Sequence, residues 1–492
     1  MLFNSWSYLV FMGTAVPLHW LLPHRGRISL LGILSILFYA LWRWEFASIM
    51  IFSAWIDFFC SRHISRTSDK RTRFGWLLVS LIVNFGMLGI FKYAYFVHEQ
   101  IQWLAWLGGH PLPSLRDLGV HIILPLGISF YTFQTVSYTI DVYRGTVKPV
   151  KDFFTFLTFV TFWPQLVAGP ILRIDEVVPQ LERERYFSWK DFNWGLYRIL
   201  IGLFKKVVLA DNIAPMVDKA FALNPAHLSA LDTWVAAFLF GFQIYFDFAG
   251  YSDIGLGSAR MLGFDFPENF HWPYLATSPR GFWQRWHISL SSWIRDYLYL
   301  PLSGERFRSR TANKIRSQDG LAVASEPAKK KRLGALLLTW FIMGLWHGAA
   351  WRFAVWGIYH ALLIYGYRVS ATLQRLVRRW PAAAWALMLA LVTAGWVPFR
   401  AQSISQMLTL TGKLLNPWAY RFQVSILDRE WYACAFVMLA GMLGLRGLMW
   451  LYQRFAVLKT SFSWVHVLAL TGLTFLVIVY LRPARPFIYF QF

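Results

Sequence analysis

Long apolar segments separated by short polar ones recur along the whole chain. A helix needs about 20 apolar residues to cross a hydrocarbon core of roughly 30 Å, and each backbone amide in lipid must be bonded within its own segment. A barrel of short alternating strands does not fit apolar runs of this length. The pattern predicts an all-α, polytopic integral membrane protein with roughly 11–13 transmembrane or re-entrant helices. The candidate segments are 4–22, 29–60 (as two helices), 75–98, 121–141, 150–172, 193–213, 232–263, 333–367, 382–399, 431–452 and 463–482.

The composition agrees with this class, and the distribution of charge predicts an orientation. Of the 492 residues, 57% are hydrophobic and only 15% are charged, which is typical of a membrane domain; we treat 1–492 as one such domain. The net charge of +23 is concentrated in loops that the positive-inside rule assigns to the cytoplasm. Arg25 and Arg27 directly follow the first segment, which predicts that the amino terminus faces outward. The other clustered basic residues are Arg62, Arg66, Lys70, Arg71, Arg73, Arg306, Arg308, Arg310, Lys314, Arg316, Lys329, Lys330, Lys331, Arg332, Arg368, Arg375, Arg378 and Arg379.

The loop 303–332 is the most basic of these polar stretches. A folded nucleic-acid-binding element is one interpretation of such a stretch. Its serine, alanine, glutamine and glycine content instead favours a solvated cytoplasmic loop at the lipid surface. We therefore predict contacts with membrane lipids and no nucleic-acid partner.

The segment 264–304 is too polar to cross lipid and too apolar to be a free loop. From residue 281 onward, apolar residues recur at three- and four-residue steps, which predicts an amphipathic helix. Such a helix suits either the cytoplasmic interface or a cytoplasmic mouth of the protein. Its arginines suit either the phosphates of a cytosolic donor or lipid head groups. These arginines are Arg280, Arg285 and Arg295.

Apart from tyrosines, the apolar run 333–367 contains only three titratable side chains, His347, Arg352 and His360, and we single out His347. As one helix these 35 residues would extend about 52 Å, so the run must bend or break, and Gly344 and Gly348 favour a break at the histidine. An ionisable group at membrane depth is functional by default, and a neutral imidazole can take a proton from a hydroxyl as a general base. The alternative is that His347 only bridges two helices by hydrogen bonds.

Three further polar residues are candidates for the site or its scaffold. His287 opens the predicted amphipathic helix and is either a second functional histidine or an interfacial one bonded to a nearby carbonyl. Asp247 and Asp253 are six positions apart in an apolar run and point about 240° apart on a straight helix, so they form no carboxylate dyad. We predict that both pair with arginines or accept backbone amides, as scaffold for a cavity.

Several reaction signatures are absent from the sequence. It contains no GxSxG elbow, Walker A loop, GxGxxG fingerprint or HExxH motif, so serine hydrolases, nucleotide-driven pumps, dinucleotide enzymes and zincins are unsupported. The two cysteines, Cys60 and Cys434, belong to separate apolar runs and imply no disulfide framework or metal site. We predict no metal and no tightly bound cofactor.

Seven motifs in this order resemble those of the membrane-bound O-acyltransferase (MBOAT) family, and best its bacterial polysaccharide-acetylating branch. Each motif alone is modest, but together they extend over nearly the whole chain. The chain departs from the family in reading PLSG where PLGG is common, and SPRGFW where an acidic residue often precedes FW. The motifs are PQLVAGPILR (164–173), YFDFAGYSDIGLG (245–257), NFHWPY (269–274), FWQRWHISLSSWIRDYLYLPLSG (282–304), GLWHGAAW (344–351), WVPFRA (396–401) and FIYFQF (487–492).

The resemblance implies a helical fold around a central tunnel, with the family's invariant histidine at His347 and its second histidine at His287. We add Trp286 and Trp346 to the three arginines as candidate substrate-binding residues. The two departures leave the histidines unchanged but affect the segments from which donor or acceptor contacts would come.

The implied function is O-acetylation of an exported polysaccharide of alginate or cellulose type at the bacterial inner membrane. The resemblance implies acetyl-CoA or a carrier-borne acyl thioester as the donor. It also implies a periplasmic SGNH or esterase-like acetyltransferase partner and a polysaccharide synthase or secretion complex. Two other interpretations stay open at this stage: a transporter or exporter with a functional intramembrane histidine, and a scaffold whose histidines are structural.

Overall fold

The computed structural model describes residues 1–166, 169–305, 333–420, 426–454, 463–481 and 485–488. These residues form helices and no β-strand, which confirms the all-α prediction. The predicted segment 29–60 is two helices, as expected. The amino-terminal helices are α1 (Trp6–Leu21), α2 (His24–Ala40), α3 (Trp44–Arg66), α4 (Lys70–Leu88), α5 (Ala94–Leu107), α6 (Ile128–Arg144), α7 (Phe153–Thr161), α8 (Trp163–Leu166), α9 (Ile174–Glu182), α10 (Trp189–Leu203) and α11 (Asp211–Ala222).

Short π-helical stretches join some of these helices without a break. Gly89–Tyr93 connects α4 to α5, and Phe204–Ala210 connects α10 to α11. A third stretch, Arg295–Tyr299, lies between two later helices. The remaining helices are α12 (Ala230–Met261), α13 (Pro279–Trp283), α14 (Ile288–Ile294), α15 (Leu300–Ser303), α16 (Leu333–His347), α17 (Trp351–Val369), α18 (Ala371–Arg379), α19 (Pro381–Arg400), α20 (Ile404–Leu415), α21 (Arg429–Arg454) and α22 (Ser463–Tyr480).

Helix α12 is the central element of the fold. Its 32 residues extend about 48 Å, and it begins with a capping box in which Ser229 and Asp232 bond each other's backbone amides. Most of its side chains are buried, and it packs against α10, α11 and α19. A helix that is apolar on most sides belongs inside a bundle, so α12 forms the centre around which the other helices pack.

Helices α16 and α17 form a tight hairpin. A Cβ on Gly357 would lie 2.1 Å from the carbonyl oxygen of Trp340, and one on Gly344 would lie 2.2 Å from that of Phe353. Glycine is therefore required at both positions, because any side chain would push the two backbones apart. The hairpin confirms the predicted break, since α16 ends at His347 and α17 begins three residues after Gly348.

Three stretches of the described residues are long and apolar enough to cross a membrane. They are Lys70–Leu107, Pro381–Arg400 and Arg429–Leu448. The first exceeds the predicted segment 75–98 because the π-helical turn continues the helix instead of ending it. The predicted total of crossings and re-entrant pieces stays a prediction.

Some predicted boundaries are wrong. The segment 150–172 is not one span, because its helix stops at Thr161 and only the four-residue α8 follows. The segment 121–141 becomes helical only at Ile128, after the left-handed Gly127.

The predicted continuous amphipathic helix from residue 281 onward is also wrong. It is divided between α13 and α14, because His287 has a left-handed backbone (φ 42°, ψ 56°) that no right-handed helix accommodates. Of the predicted basic loop 303–332, residues 306–332 lie outside the described part of the chain.

Candidate active site

His347 is the last residue of α16 and is buried inside the bundle. Its side chain is 3% exposed. The imidazole meets three aromatic rings edge to face, with centroid distances of 5.0 Å to Trp346, 5.0 Å to Trp356 and 5.4 Å to Phe399. Such walls exclude bulk water from the imidazole while leaving its two nitrogens as the polar groups of the site.

His287 lies in the same region and is fully buried. Its left-handed backbone places it as the N-cap of α14, and the backbone amide of Ile288 donates to the carbonyl of Asn269 at 2.9 Å. The His287 Nδ1 atom lies 3.3 Å from Asn269 Oδ1, which also accepts the amide and hydroxyl of Ser289. Because an oxygen faces Nδ1, the neutral ring carries its proton there and its Nε2 has a free lone pair.

A third histidine, His360, belongs to this aromatic cluster although the sequence analysis did not select it. It is 2% exposed on α17, one turn after Trp356, whose ring contacts both His360 (4.9 Å) and His347 (5.0 Å). The four-residue spacing from Trp356 to His360 within a helix was the available signal. Trp346 lies between His347 and His287, with its ring centroid 5.0 Å from the first imidazole and 6.5 Å from the second.

Several buried polar atoms of this cluster have no hydrogen-bond partner among the described residues. Buried donors and acceptors in proteins are nearly always paired, so a group of unpaired ones indicates space for a polar ligand or water. The atoms are the indole Nε1 of Trp283, Trp346, Trp356 and Trp396, the Nε2 of His287 and the Nδ1 of His360.

The five predicted substrate-binding residues do not form one group. Trp286 and Trp346 are buried in the aromatic cluster, at 1% and 4% exposure. Arg280 and Arg295 are exposed and Arg285 is half-buried, so the arginines lie at the periphery of the cluster. Two residues that follow Arg280 in α13 connect this surface to the interior: Phe282 stacks on His360 at 6.4 Å, and Trp283 meets His360 edge to face at 5.1 Å.

Two of these arginines already have partners within the chain. Arg295 Nε donates to one carboxylate oxygen of Asp296 at 2.7 Å, and the buried Arg173 binds the other at 2.6 Å. Arg285 Nη1 donates to the carbonyl of His271 at 3.3 Å. These bonds hold the guanidinium groups of Arg285 and Arg295 in place at the periphery of the cluster.

Neither predicted scaffold carboxylate stands alone. Asp253 lies 2.7 Å from Arg198 and 2.6 Å from Lys205. Asp247 lies 2.5 Å from the buried Lys206 and accepts the amide of Ile488 at 2.7 Å. These pairs connect α12 to α10 and to the π-helical stretch that follows α10, and Asp247 also connects it to the end of the described chain.

A cavity lies at this charge cluster. Its volume is about 240 Å³, and its lining includes Lys206, Asp211, Gln243, Asp247 and Arg485. The three buried histidines of the aromatic cluster are not among its lining residues. No group of three or more histidine, cysteine or carboxylate side chains with metal-binding geometry occurs in the described ranges.

Lys92 is a second residue near the site that was not selected from the sequence pattern. It lies in the π-helical turn Gly89–Tyr93, and its ammonium donates to the carbonyl oxygen of Trp346 at 2.5 Å. The signal was a lysine within an otherwise apolar predicted span, which is a costly placement without a partner.

Comparison with known proteins gives a consistent result. The model of the membrane-bound O-acyltransferase (MBOAT) family matches residues 147–318. The probable alginate O-acetylase AlgI of Azotobacter vinelandii is 37% identical over 82% of this chain and 76% of its own length. The peptidoglycan O-acetyltransferase of Helicobacter pylori is 31% identical over 77% of this chain and 72% of its own. The teichoic acid D-alanyltransferase of Bacillus subtilis is 29% identical over 55% of this chain and 66% of its own.

Proposed function

Because this chain belongs to the membrane-bound O-acyltransferase family and is an O-acyltransferase, we propose that it transfers an acetyl group from a cytosolic thioester for O-acetylation of an exported polysaccharide. The donor is acetyl-CoA or a carrier-borne acetyl thioester. The relatives named alginate O-acetylases favour an alginate-type polysaccharide over a cellulose-type one. The observation that carries the proposal is the buried His347 within a cluster of unpaired indole and imidazole nitrogens.

His347 is the general base of the proposed reaction. Its neutral imidazole takes the proton of an acceptor hydroxyl as that oxygen attacks the thioester carbonyl. The tetrahedral intermediate then collapses, the carbon–sulfur bond breaks, and the imidazolium returns the proton to the departing thiolate. Protons and electrons balance without a further reactant, and burial protects the thioester from hydrolysis.

The other polar groups of the cluster have supporting roles. The unpaired indole N–H groups of Trp346 and Trp356 are donors for the oxygen that gains negative charge during attack. The free lone pair of His287 Nε2 accepts a hydrogen bond from the donor or the acceptor and orients it. Arg280, Arg285 and Arg295 attract the phosphates of the donor to the cytosolic mouth.

We place the protein in the bacterial inner membrane with its amino terminus in the periplasm. This orientation is supported by Arg25 and Arg27, which directly follow the first apolar segment. The acetyl ester formed on the acceptor hydroxyl is then the substrate of a periplasmic SGNH or esterase-like partner. The partner transfers the acetyl group to the polysaccharide, which a synthase and secretion complex makes, and the acceptor hydroxyl is released again.

The test is transfer of labelled acetyl from acetyl-CoA in membranes that contain the partner proteins. His347→Ala is expected to lower the rate by about 10²–10⁴-fold, the usual contribution of a general base. His19→Ala is the matched control, because His19 is also 3% exposed but belongs to α1, outside the cluster. Unchanged transfer by folded His347→Ala protein would show that this histidine only packs against its neighbours. Solute flux by the protein alone would favour a transporter.

A further inference from the structure

The carboxyl end of α16 is held from outside its own helix. Lys92 Nζ donates to the carbonyl of Trp346 at 2.5 Å and to that of His347 at 3.3 Å. The neighbouring Tyr93 hydroxyl donates to the carbonyl of Leu345 at 3.0 Å. Three consecutive carbonyls at the end of the helix that carries His347 are therefore bonded by two consecutive residues of another segment.

These bonds satisfy carbonyl groups that the break after His347 leaves without intrahelical donors. The last four carbonyls of a helix have no intrahelical donor, and unbonded carbonyls are costly away from water. The connection to α17 is only three residues long, and the backbone of its Ala350 is extended, so the chain offers no further helical turn of donors there. A cation at a helix carboxyl end also interacts favourably with the helix dipole.

Lys92 has no carboxylate partner among the described residues. The buried Lys206 differs in this respect, since it lies 2.8 Å from Asp211 and 2.5 Å from Asp247. The ammonium of Lys92 instead lies 5.6 Å from the centre of the Trp346 ring, over its face. Its surroundings are thus the dipole of α16, two carbonyls and an aromatic ring, all of which belong to the element that carries His347.

The π-helical turn explains how two adjacent residues can reach the same helix end. Single π-helical turns inside α-helices are concentrated at functional sites, because they change the direction of side chains locally. Here the turn is Gly89–Tyr93, between α4 and α5, and both of its last two side chains contact the end of α16.

We propose that Lys92 is a positioning residue for His347: its ammonium fixes the last turn of α16 and thereby the direction of the imidazole, with Tyr93 as a weaker second support. This inference rests on the proposed function, in which His347 is the base. Lys92 acts through the backbone of Trp346 and His347 and does not itself contact the reacting atoms.

The test compares Lys92→Met, which keeps the length of the side chain, with Lys92→Arg, which keeps charge and donors. We expect Lys92→Met to lower kcat about 100-fold with KM unchanged, since a displacement of about 1 Å at a catalytic group costs that much. Lys92→Arg is expected to recover most of the rate. Tyr93→Phe should lose several-fold, and Tyr95→Phe, whose hydroxyl bonds Val120 in an exposed loop, should be neutral.

The outcomes separate the two proposals. If His347→Ala retains transfer, the general-base function fails whatever Lys92 does. If His347→Ala abolishes transfer but folded Lys92→Met keeps the wild-type kcat, the positioning role is wrong. The positioning role is also wrong if the rate loss in Lys92→Met disappears when the rate is normalised to folded protein, or if the substitution changes KM alone. Should Lys92→Met not fold, Lys92→Gln takes its place with the same expected loss of kcat, and a wild-type kcat for that folded variant refutes the proposal.

Discussion

A substitution in the hairpin of α16 and α17 is predicted to change both the stability of the protein and its activity. Gly357→Ala would place a Cβ 2.1 Å from the Trp340 carbonyl oxygen and 3.3 Å from Gly344 Cα. An ordinary contact to that oxygen begins near 3.4 Å, so the backbones must separate by about 1 Å. Overpacking of this kind costs about 1–3 kcal/mol, which outweighs the gain of about 1 kcal/mol in helix propensity from glycine to alanine.

The same displacement reaches the site, because α16 ends at His347 and α17 carries Trp356, the ring against it. A shift of about 1 Å at a catalytic group lowers the rate by about 100-fold. We therefore expect Gly357→Ala to lower both the thermal unfolding midpoint in detergent and acetyl transfer per folded molecule.

Gly366→Ala is the matched control, since Gly366 lies in the same helix and a Cβ there meets nothing within 4 Å. It should keep wild-type transfer, with an unfolding midpoint that is unchanged or higher. The measurements are fluorescence-detected size exclusion after heating and the labelled-acetyl assay. If Gly357→Ala is as stable and as active as Gly366→Ala, the close approach of the two helices does not position His347, and this reasoning is refuted.

Three further predictions concern other contacts. His287 has a left-handed backbone, which asparagine tolerates and valine does not. We therefore expect His287→Val to be less stable than His287→Asn by about 1–2 kcal/mol and to unfold at a lower temperature; equal midpoints would contradict this. Lys206→Met leaves the buried Asp247 and the half-buried Asp211 without their cation and should cost about 3–5 kcal/mol. This is more than the cost of Asp247→Asn, which leaves the lysine a second carboxylate; the reverse order in unfolding midpoints would contradict the assignment. At the start of α4, a threonine hydroxyl and amide donate to Asp69 and hold the pKa of that carboxyl below its usual value. The stabilisation that Asp69 gives to the start of α4 is therefore complete above the usual carboxyl pKa of about 4, and it is lost as the pH falls through the lower pKa of the folded state. Hydrogen exchange in the first turn of α4 should accelerate in that lower pH range in the wild type but not in Asp69→Asn.

Much of the fold could be predicted because the free-energy cost of placing polar backbone and charge in lipid constrains each short segment of the sequence separately. Long apolar runs predicted helices, and the excess length of 333–367 predicted the break at His347. Where local pattern failed, a backbone conformation was the reason. The three- and four-residue periodicity beyond residue 281 is real, but the left-handed His287 divides it into two short helices.

The candidate site was predictable only in part. His347 could be selected from the sequence because an imidazole at membrane depth is unusual, and His287 because it lies in a family motif. His360 has the same chemistry as His347 but became a member of the site only through Trp356, which contacts both rings. The predicted arginines had the right chemistry for a phosphorylated donor, yet they lie at the periphery while the predicted tryptophans are buried in the cluster.

Hydropathy and motif order thus suffice to predict a helical membrane O-acyltransferase and to select His347 as the candidate base, because both predictions follow from the residues along short stretches. Which groups meet is set by packing between distant parts of the chain. Lys92 and Trp346 are 254 residues apart, and no local pattern relates them. Their contact exists because α16 must end inside the protein, where its last carbonyls need donors that its own backbone cannot provide.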